Sequence, residues 1–383
     1  MSVTTPQGFL ASGVAAGLKA GGAKDVALVV NTGPISPAAG VFTANRVQAA
    51  PVRWSRQVLA GGDVRTVVLN SGGANACTGP MGFQDTHRTA EAAATATRVS
   101  ASQVAVCSTG LIGVHLPMPQ LLSGVEQAAS ALAPEGGPDA AHAIMTTDSV
   151  AKQVAVQQEG WSVGGMAKGA GMLAPELATM LVVLTTDAVA EVGVLDHALR
   201  YAVARTFDRI DSDGCMSTND TVLLLASGAS GERPTGYGLT QAVLEACDSL
   251  ARQLISDAEG ASKEVLIEVV RAASEADAMT AARAVARSNL LKCALFGNDP
   301  NWGRVLAAIG TTDAAFDPDT VDVAMNGVWV CRNGAAGEDR EDVDLSGRDV
   351  TITVDLKAGG AGGYLRTNDL TTAYVHENSA YST

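Results

Sequence analysis

The sequence lacks any apolar run that approaches the length of about 18 residues required by a membrane-spanning helix. Its first residues, MSVTTPQGFLASG, have neither a basic start nor a continuous apolar stretch, so we expect no signal peptide. Aromatic residues make up only 4% of the chain, so its core must be built from Ala, Val and Leu. Lys and Arg number 26 against 40 Asp and Glu, and the net charge of −14 disfavours nucleic acid and anionic membranes as partners.

Cysteine and histidine show no pattern typical of a metal site. The six cysteines form no Cys-x-x-Cys pair and do not cluster with the five histidines. We therefore expect buried, reduced thiols in a cytoplasmic protein, with no metal site and with small molecules or other proteins as partners. The chain has 383 residues, of which 47% are hydrophobic and 17% charged, so it folds and is long enough for two or three domains. Short apolar runs alternating with alanine-rich segments predict an α/β fold.

The segment 168–181, KGAGMLAPELATML, is unusual for its glycines and its proline. Gly169 and Gly171 permit backbone angles that other residues avoid, and Pro175 excludes a helix through its own position. The spacing of the two glycines superficially fits a dinucleotide-binding fingerprint. That fingerprint requires a preceding strand, and the sequence VGGM of residues 163–166 does not predict one. We therefore reject a dinucleotide site here.

Thr179 stands at the start of the apolar run TMLVVLT of residues 179–185, which predicts a buried strand. If the Ala178–Thr179 bond were cut, Thr179 would carry a free α-amine beside its own hydroxyl. An α-amine has a pKa of about 7.7–8.0, so this one residue would supply both a nucleophile and a base. From these residues alone, a Gly/Pro loop that leads into a core strand is the simpler interpretation.

Polar turns follow two other predicted strands. The run VVLN of residues 67–70 precedes SGGANACTG, and the run VAVC of residues 104–107 precedes STGLIG. Thr109 and Gly110 place a hydroxyl donor beside a glycine amide, which is the chemistry of an oxyanion hole. The same residues also form ordinary turns. The acidic spacing of the loop that begins at Asp211 suggests calcium, but position 222 is Val where an EF-hand requires Glu, which favours a polar loop near a site.

KGAGMLAPELATML resembles the self-cleavage motif of the ornithine acetyltransferase (glutamate N-acetyltransferase, ArgJ) family, whose members cut themselves before the threonine of Ala-Thr-Met-Leu. Four further motifs are similar to those of the family and occur in family order: STGLIG, IMTTD, STNDT and FGNDPNWGR. The resemblance covers nearly the whole chain. Ala151 stands where relatives usually have proline, and Leu177 where methionine is common.

The resemblance implies transfer of an acetyl group from N2-acetyl-L-ornithine to L-glutamate in arginine biosynthesis. Thr179 is the implied nucleophile, carrying the acetyl group between two half-reactions. Thr109 and Gly110 are the implied oxyanion hole. Residues at family positions that contact substrate are Thr146, Lys168, Thr179, Glu259, Asn378 and Thr383.

The family also implies an architecture of stacked β-sheet layers flanked by helices, similar in arrangement to N-terminal-nucleophile hydrolases. Self-cleavage would give an alpha chain of residues 1–178 and a beta chain of residues 179–383, with two of each in the assembly. No cofactor or metal is implied. Use of acetyl-CoA as a second donor, which would make the enzyme multifunctional, is left open by the sequence.

Two other functions compete with this one. An amidohydrolase or peptidase on the same self-cleaving scaffold would release the acyl group to water without an acceptor amine. A non-catalytic binding or assembly protein would remain a single uncut chain. Both alternatives are therefore open to direct measurement.

Overall fold

The computed structural model describes residues 1–174 and 180–380. The predicted nucleophile Thr179, the predicted cleavage bond before it and the predicted substrate contact Thr383 lie outside the described residues. The chain divides into two compact units. The described part of the first unit comprises residues 1–174, 180–208 and 215–257, and that of the second comprises residues 209–214 and 258–380.

The first unit contains nine strands and six helices within its described residues. The strands are β1 (Phe9–Val14), β2 (Val26–Asn31), β3 (Ala38–Phe42), β4 (Thr66–Asn70), β5 (Val104–Ser108), β6 (Lys152–Gln157), β7 (Ser162–Lys168), β8 (Leu181–Thr186) and β9 (Thr221–Ala226). The helices are α1 (Ala50–Leu59), α2 (Gly79–Thr97), α3 (Met118–Ser130), α4 (Gly137–Ala143), α5 (Val192–Arg205) and α6 (Gly236–Ser256).

These strands form two sheets, in the orders β1-β2-β4-β5 and β3-β9-β8-β7-β6. Val29 and Leu69 of the first sheet share one buried core with Val183 and Leu223 of the second, so the sheets stack face to face. Helices α2 and α3 cover the other face of the first sheet, while α5 and α6 pack on the second. Four layers result, helix–sheet–sheet–helix, which is the predicted arrangement of stacked sheets flanked by helices.

The register of the second sheet brings three strand ends together. Strand β8 runs antiparallel to β7, with Leu181 opposite Lys168. It runs parallel to β9, with Leu181 opposite Thr221. All six residues of β8 are buried, as expected for a central strand covered on both faces. Lys168 at the end of β7, Met180 just before β8 and Asp220 just before β9 therefore lie together where these three central strands begin or end.

The second unit has its own sheet and core. Its strands are β10 (Glu264–Ala272), β11 (Asp322–Met325), β12 (Val328–Arg332), β13 (Ala335–Ala336), β14 (Asp349–Asp355) and β15 (Ala361–Asn368), and its helices are α7 (Glu275–Ala286), α8 (Asn289–Phe296), α9 (Trp302–Ile309) and α10 (Thr372–Ala380). The strand order is β13-β12-β11-β14-β10-β15. Apolar residues of α7 and α9 pack with those of the sheet in one continuous core. The predicted division into chains after residue 178 does not coincide with the boundaries of the two units.

The prediction that no strand precedes Gly169 is wrong, because β7 occupies that position. Its glycines allow close packing. A Cβ atom on Gly164 would lie 2.4 Å from the carbonyl oxygen of Ser2, and one on Gly165 would lie 2.7 Å from a methyl group of Leu184. Since β7 is antiparallel to both neighbours, it belongs to no βαβ unit, and the rejection of a dinucleotide site stands on that ground.

The prediction that all the cysteines are buried, reduced thiols is correct only for three of them. All six are free, as predicted, but only Cys107, Cys247 and Cys331 are buried, while the other three are exposed. In the first and second units as described, no helix combines the length and the apolar character needed to cross a membrane.

Candidate active site

The predicted oxyanion-hole residues lie in a tight turn at the carboxyl end of β5. The amide of Thr109 donates to the carbonyl of Asn70 at 3.0 Å, and the amide of Gly73 donates to the carbonyl of Thr109 at 3.0 Å. Gly110 has a φ of +124°, and a Cβ atom there would lie 2.6 Å from the nitrogen of Gly73. This position therefore requires glycine.

Two donors of this turn are available to a ligand. Across residues 1–174 and 180–380, neither the hydroxyl of Thr109 nor the amide of Gly110 forms a hydrogen bond with another residue. Thr109 is only 3% exposed, so its hydroxyl lies in a largely desolvated setting. Adjacent unpartnered donors in such a setting are suited to stabilising a developing oxyanion.

Asn219 connects this turn to the second sheet. Its side-chain amide donates to the carbonyl of Ser108 at 2.8 Å and to that of Ala74 at 2.6 Å. Its side-chain oxygen accepts a bond from the hydroxyl of Thr218 at 2.6 Å. Asn219 and Asp220 immediately precede β9, so the bonds of Asn219 join the start of β9 to the carboxyl end of β5 in the other sheet. The sequence STNDT indicated a site here but not these bonds.

The segment that follows the predicted nucleophile is held by Asp220 and β9. The amide of Met180 donates to Oδ1 of Asp220 at 3.2 Å. The carbonyl of Met180 accepts from the amide of Thr221 at 3.1 Å. Both polar groups of the Met180 backbone are therefore fixed, directly beyond the position of Thr179 in the chain.

Asp220 is fully buried. Burial raises the pKa of its carboxyl well above the usual value, and this outweighs the amide of Met180, the hydroxyl of Ser217, the charge of Lys168 and the hydroxyl of Thr43, all of which lower it. The group is therefore a neutral acid over a wider pH range than an exposed aspartate. Sequence patterns do not reveal this property, because it results from burial.

Thr146 and Lys168, both predicted to contact substrate, are joined by Asp148. Oδ2 of Asp148 accepts from the amide of Thr146 at 3.0 Å and lies 3.9 Å from the ammonium of Lys168. Oδ1 accepts from the amide of Gly169 and from the ammonium of Lys152, each at 2.7 Å. One carboxylate thus fixes two predicted site segments.

The Asp148 carboxylate is stabilised by its cationic neighbours. Burial acts to raise its pKa, but the charges of Lys168 and Lys152, together with hydrogen bonds from Lys152 and Thr146, lower the pKa to about 2. Lys152 is fully buried and also pairs with Asp257 at 2.5 Å. Asp148 therefore stays ionised at neutral pH, and its removal would leave buried ammonium groups short of a partner.

Lys19 lies close to this cluster, although nothing in its local sequence singles it out. Its ammonium donates to the carbonyl of Met145 at 3.0 Å. Burial lowers the pKa of Lys19, and the charge of Lys168 lowers it further, while Asp25 and Asp148 act in the opposite direction. A second ammonium thus stands near Lys168, where a substrate carboxylate would be attracted.

In the second unit, the structure brings together two further predicted contacts. The side-chain amide of Asn378 donates to Glu259 at 2.9 Å. Glu259 also lines a cavity of about 270 Å³ together with Asp213, Asp369 and Lys292. Burial lowers the pKa of Lys292 to about 8, against the charges of nearby aspartates. Arg287 also lines this cavity, so its charged lining comprises three acidic and two basic side chains.

The first four residues of the predicted polar loop, which extends from Asp211 to Thr221, have a structural role. Asp211 accepts from the amide of Gly214 at 3.0 Å and from the guanidinium of Arg287 at 2.7 Å. Within the two described stretches of the chain, His, Cys, Asp and Glu form no group of three or more that is suited to holding a metal ion.

Comparison with known proteins gives a consistent result along the sequence. The model of the ArgJ family matches residues 10–383. A Streptomyces coelicolor protein named arginine biosynthesis bifunctional protein ArgJ is 65% identical over 382 residues, covering 100% of both chains. A protein of the same name from Mycobacterium leprae is 59% identical over 388 residues, covering 99% of this chain and 95% of its own.

Solved structures include two similar proteins. A chain of the Mycobacterium tuberculosis ornithine acetyltransferase, complexed with ornithine, is 60% identical, with a TM-score of 0.45, and the match covers 47% of this chain and 96% of that chain. A chain of the Bacillus halodurans arginine biosynthesis bifunctional protein ArgJ is 34% identical, with a TM-score of 0.49, and the match covers 51% of this chain and 97% of that chain.

Replacement of Asp148 by Asn should destabilise the first unit by roughly 3 kcal/mol at pH 7, because the buried ammonium of Lys152 loses a charged partner. The folded-state pKa of Asp148, about 2, lies below the unfolded value of about 3.9. Its stabilising contribution is therefore complete above about pH 4 and disappears as the pH falls through about 2. Denaturant titrations of wild type and variant should converge across that window.

Asp139→Asn is the matched control, since Asp139 pairs with Lys24 while its side chain is 58% exposed. Loss of an exposed pair should change the free energy of unfolding by no more than about 1 kcal/mol. Equal effects of the two substitutions at pH 7 would show that Asp148 does not anchor the cluster.

Proposed function

Because this chain belongs to the ArgJ family, we propose that it transfers the acetyl group of N2-acetyl-L-ornithine to L-glutamate, giving L-ornithine and N-acetylglutamate. It is an acetyltransferase of arginine biosynthesis. The observation that carries the more detailed proposal is the pair of unpartnered donors on Thr109 and Gly110. Asn219 donates to the carbonyl of Ser108 in that turn, and the next residue, Asp220, accepts from the amide of Met180, which follows the proposed nucleophile in the chain.

In the proposed mechanism, the chain first cuts itself between Ala178 and Thr179. The freed α-amine of Thr179 then accepts the proton of the Thr179 hydroxyl as its oxygen attacks the acetyl carbonyl. The α-amine passes that proton to the nitrogen of ornithine as the carbon–nitrogen bond of acetylornithine breaks, ornithine leaves, and the acetyl group remains on Thr179 as an ester. The amine of glutamate then attacks this ester, and the proton that it loses passes through the α-amine to the threonine oxygen, which completes the transfer and restores the threonine.

The tetrahedral intermediate of each half-reaction carries a negative oxygen. The hydroxyl of Thr109 and the amide of Gly110 are proposed to donate hydrogen bonds to it. Their support is geometric: the Gly110 backbone is held in a conformation that leaves no room for a side chain, and both donors are adjacent. Donors fixed before the reaction need no reorganisation as the charge develops.

Substrate recognition is proposed to depend on charge. Lys168, fixed by Asp148, suits a substrate carboxylate, and Thr146 is anchored by the same aspartate. Glu259 is proposed to receive the side-chain ammonium of ornithine, and its bond to Asn378 supports a shared role for these two residues. Thr179 and Thr383 complete the proposed contacts and lie outside the described residues.

Several further properties remain proposals. Cleavage would yield the alpha chain of residues 1–178 and the beta chain of residues 179–383, assembled as two of each in the cytoplasm. No cofactor is required for the proposed chemistry. Acetyl-CoA is proposed as an additional donor, in keeping with relatives named as bifunctional. Release of acetate without an acceptor amine would instead favour the amidohydrolase alternative.

Self-cleavage is tested by replacing Thr179. Wild type should separate on a denaturing gel into fragments of residues 1–178 and 179–383, which stay together in native conditions. Thr179→Ala should remain one chain because it has no nucleophilic oxygen, whereas Thr179→Ser keeps a hydroxyl and should still be cut. Intact mass spectrometry identifies the cleavage bond. Recovery of wild type only as a full-length chain would contradict self-cleavage.

The oxyanion hole is tested by replacing Thr109 with Ala and, as the matched control, with Ser. Loss of the hydroxyl should slow acetylation of Thr179 by roughly 10²–10³, the usual effect of deleting one such donor. Affinity for acetylornithine should change far less, since the donor acts on the intermediate. Rapid mixing of cut enzyme with acetylornithine, followed by mass spectrometry, measures the rate. If Thr109→Ala is acetylated as fast as Thr109→Ser, the hydroxyl only shapes the turn.

A further inference from the structure

We propose that Asp220 is the proton donor for self-cleavage, supplying the proton that the nitrogen of Thr179 needs as its bond to Ala178 breaks. This inference rests on the proposed self-cleavage. It assigns Asp220 two tasks: Oδ1 holds the amide of Met180, and Oδ2 carries the proton that is transferred.

The first support is the place of Asp220 in the chain fold. Its Oδ1 lies 3.2 Å from the nitrogen of Met180. That nitrogen is separated from the nitrogen of Thr179 by three covalent bonds, with a combined length of about 4.3 Å. The Met180 carbonyl is fixed by the amide of Thr221, the residue that follows Asp220. Asp220 is therefore held against Met180, the residue that follows the proposed cleavage bond and Thr179 in the chain.

The second support is the state of Oδ2. This atom is buried and has no hydrogen-bond partner in the described parts of the chain. An unpartnered polar atom in the interior is costly, by about 1–3 kcal/mol, and is uncommon without a functional reason. A transferable proton at this position is such a reason.

The third support is the charge around the carboxyl. The groups that face Asp220 are the amide of Met180 just before β8, the hydroxyls of Ser217 and Thr43, and the ammonium of Lys168 from β7. Lys168 lies within 3.9 Å of the ionised Asp148, which competes for its charge. Burial raises the pKa of Asp220 well above its usual value despite these groups, so the carboxyl keeps its proton to a higher pH than an exposed aspartate does.

The proposed cleavage step balances in atoms and protons with water as the only added reactant. The hydroxyl oxygen of Thr179 forms an ester bond with the carbonyl carbon of Ala178, and the carbon–nitrogen bond breaks. Asp220 gives the proton of Oδ2 to the departing nitrogen, and the proton lost by the Thr179 hydroxyl returns to the carboxylate. Water then hydrolyses the ester, giving the carboxyl group of Ala178 and the free hydroxyl of Thr179.

The test uses the full chain made by cell-free synthesis and follows loss of the uncut form on denaturing gels across a pH series. Asp220→Asn keeps an oxygen for the amide of Met180 but has no acidic proton, so cleavage should slow by roughly 10²–10⁴. In wild type, the rate should fall as the pH rises through the raised pKa of Asp220, because the acid loses its proton. The Asn variant should lack that fall, and Asp220→Glu, which restores an acid, should regain it.

Asp187→Asn is the matched control. Asp187 follows β8 at its opposite end, is 3% exposed, and accepts bonds from the amides of Gln7 and Ser162. Its replacement should weaken folding but leave the pH dependence of cleavage intact. Cleavage of Asp220→Asn at the wild-type rate, or a wild-type rate that does not fall with rising pH, would overturn the inference while leaving self-cleavage standing. An uncut wild-type chain would instead contradict the proposed function itself.

Discussion

The hydrogen bonding of β8 between β7 and β9 decides which residues meet at the proposed catalytic centre. With Leu181 opposite both Lys168 and Thr221, Met180 lies beside Asp220 and near the end of β7. A slip of one residue would turn every side chain of β8 to the other face and bury the wrong set. Because all six residues of β8 are buried, packing on both faces holds this register. The chemistry thus depends on a core strand.

Asp148 and Asp220, two buried aspartates near these strand ends, differ in the charge state that their surroundings favour. Asp148 is ionised because two lysines offset the loss of hydration. Asp220 lies near the charge of Lys168, but burial dominates and favours its neutral form. The loss of hydration on burial acts on both carboxyls. Because lysines offset it at Asp148, that group stays charged and positions a cation, whereas Asp220 favours its neutral form and can give up a proton. Lys19 adds a second ammonium beside the first aspartate, which favours an anionic substrate group there.

Features set by local sequence could be predicted, and those set by packing over long separations could not. The sequence predicted strand β5 from an apolar run, and it predicted the Thr109 turn from the polar, glycine-containing residues that follow this run. Strand β7 was missed because Gly164 lowers strand propensity, although its lack of a side chain is what admits the neighbouring backbone. The bonds of Asn219 reach carbonyls 111 and 145 positions away in the chain, so its role appears only when the two sheets are stacked.

The central claim is that Thr179 carries the acetyl group between two substrates. Intact mass spectrometry of purified wild type, with N-acetylornithine alone and then with glutamate added, tests it most directly. We predict that the fragment of residues 179–383 gains one acetyl group, that peptide mapping places it on Thr179, and that glutamate removes it as N-acetylglutamate. An unmodified fragment during turnover, or an acetyl group lost to water at the same rate with and without glutamate, would contradict the account.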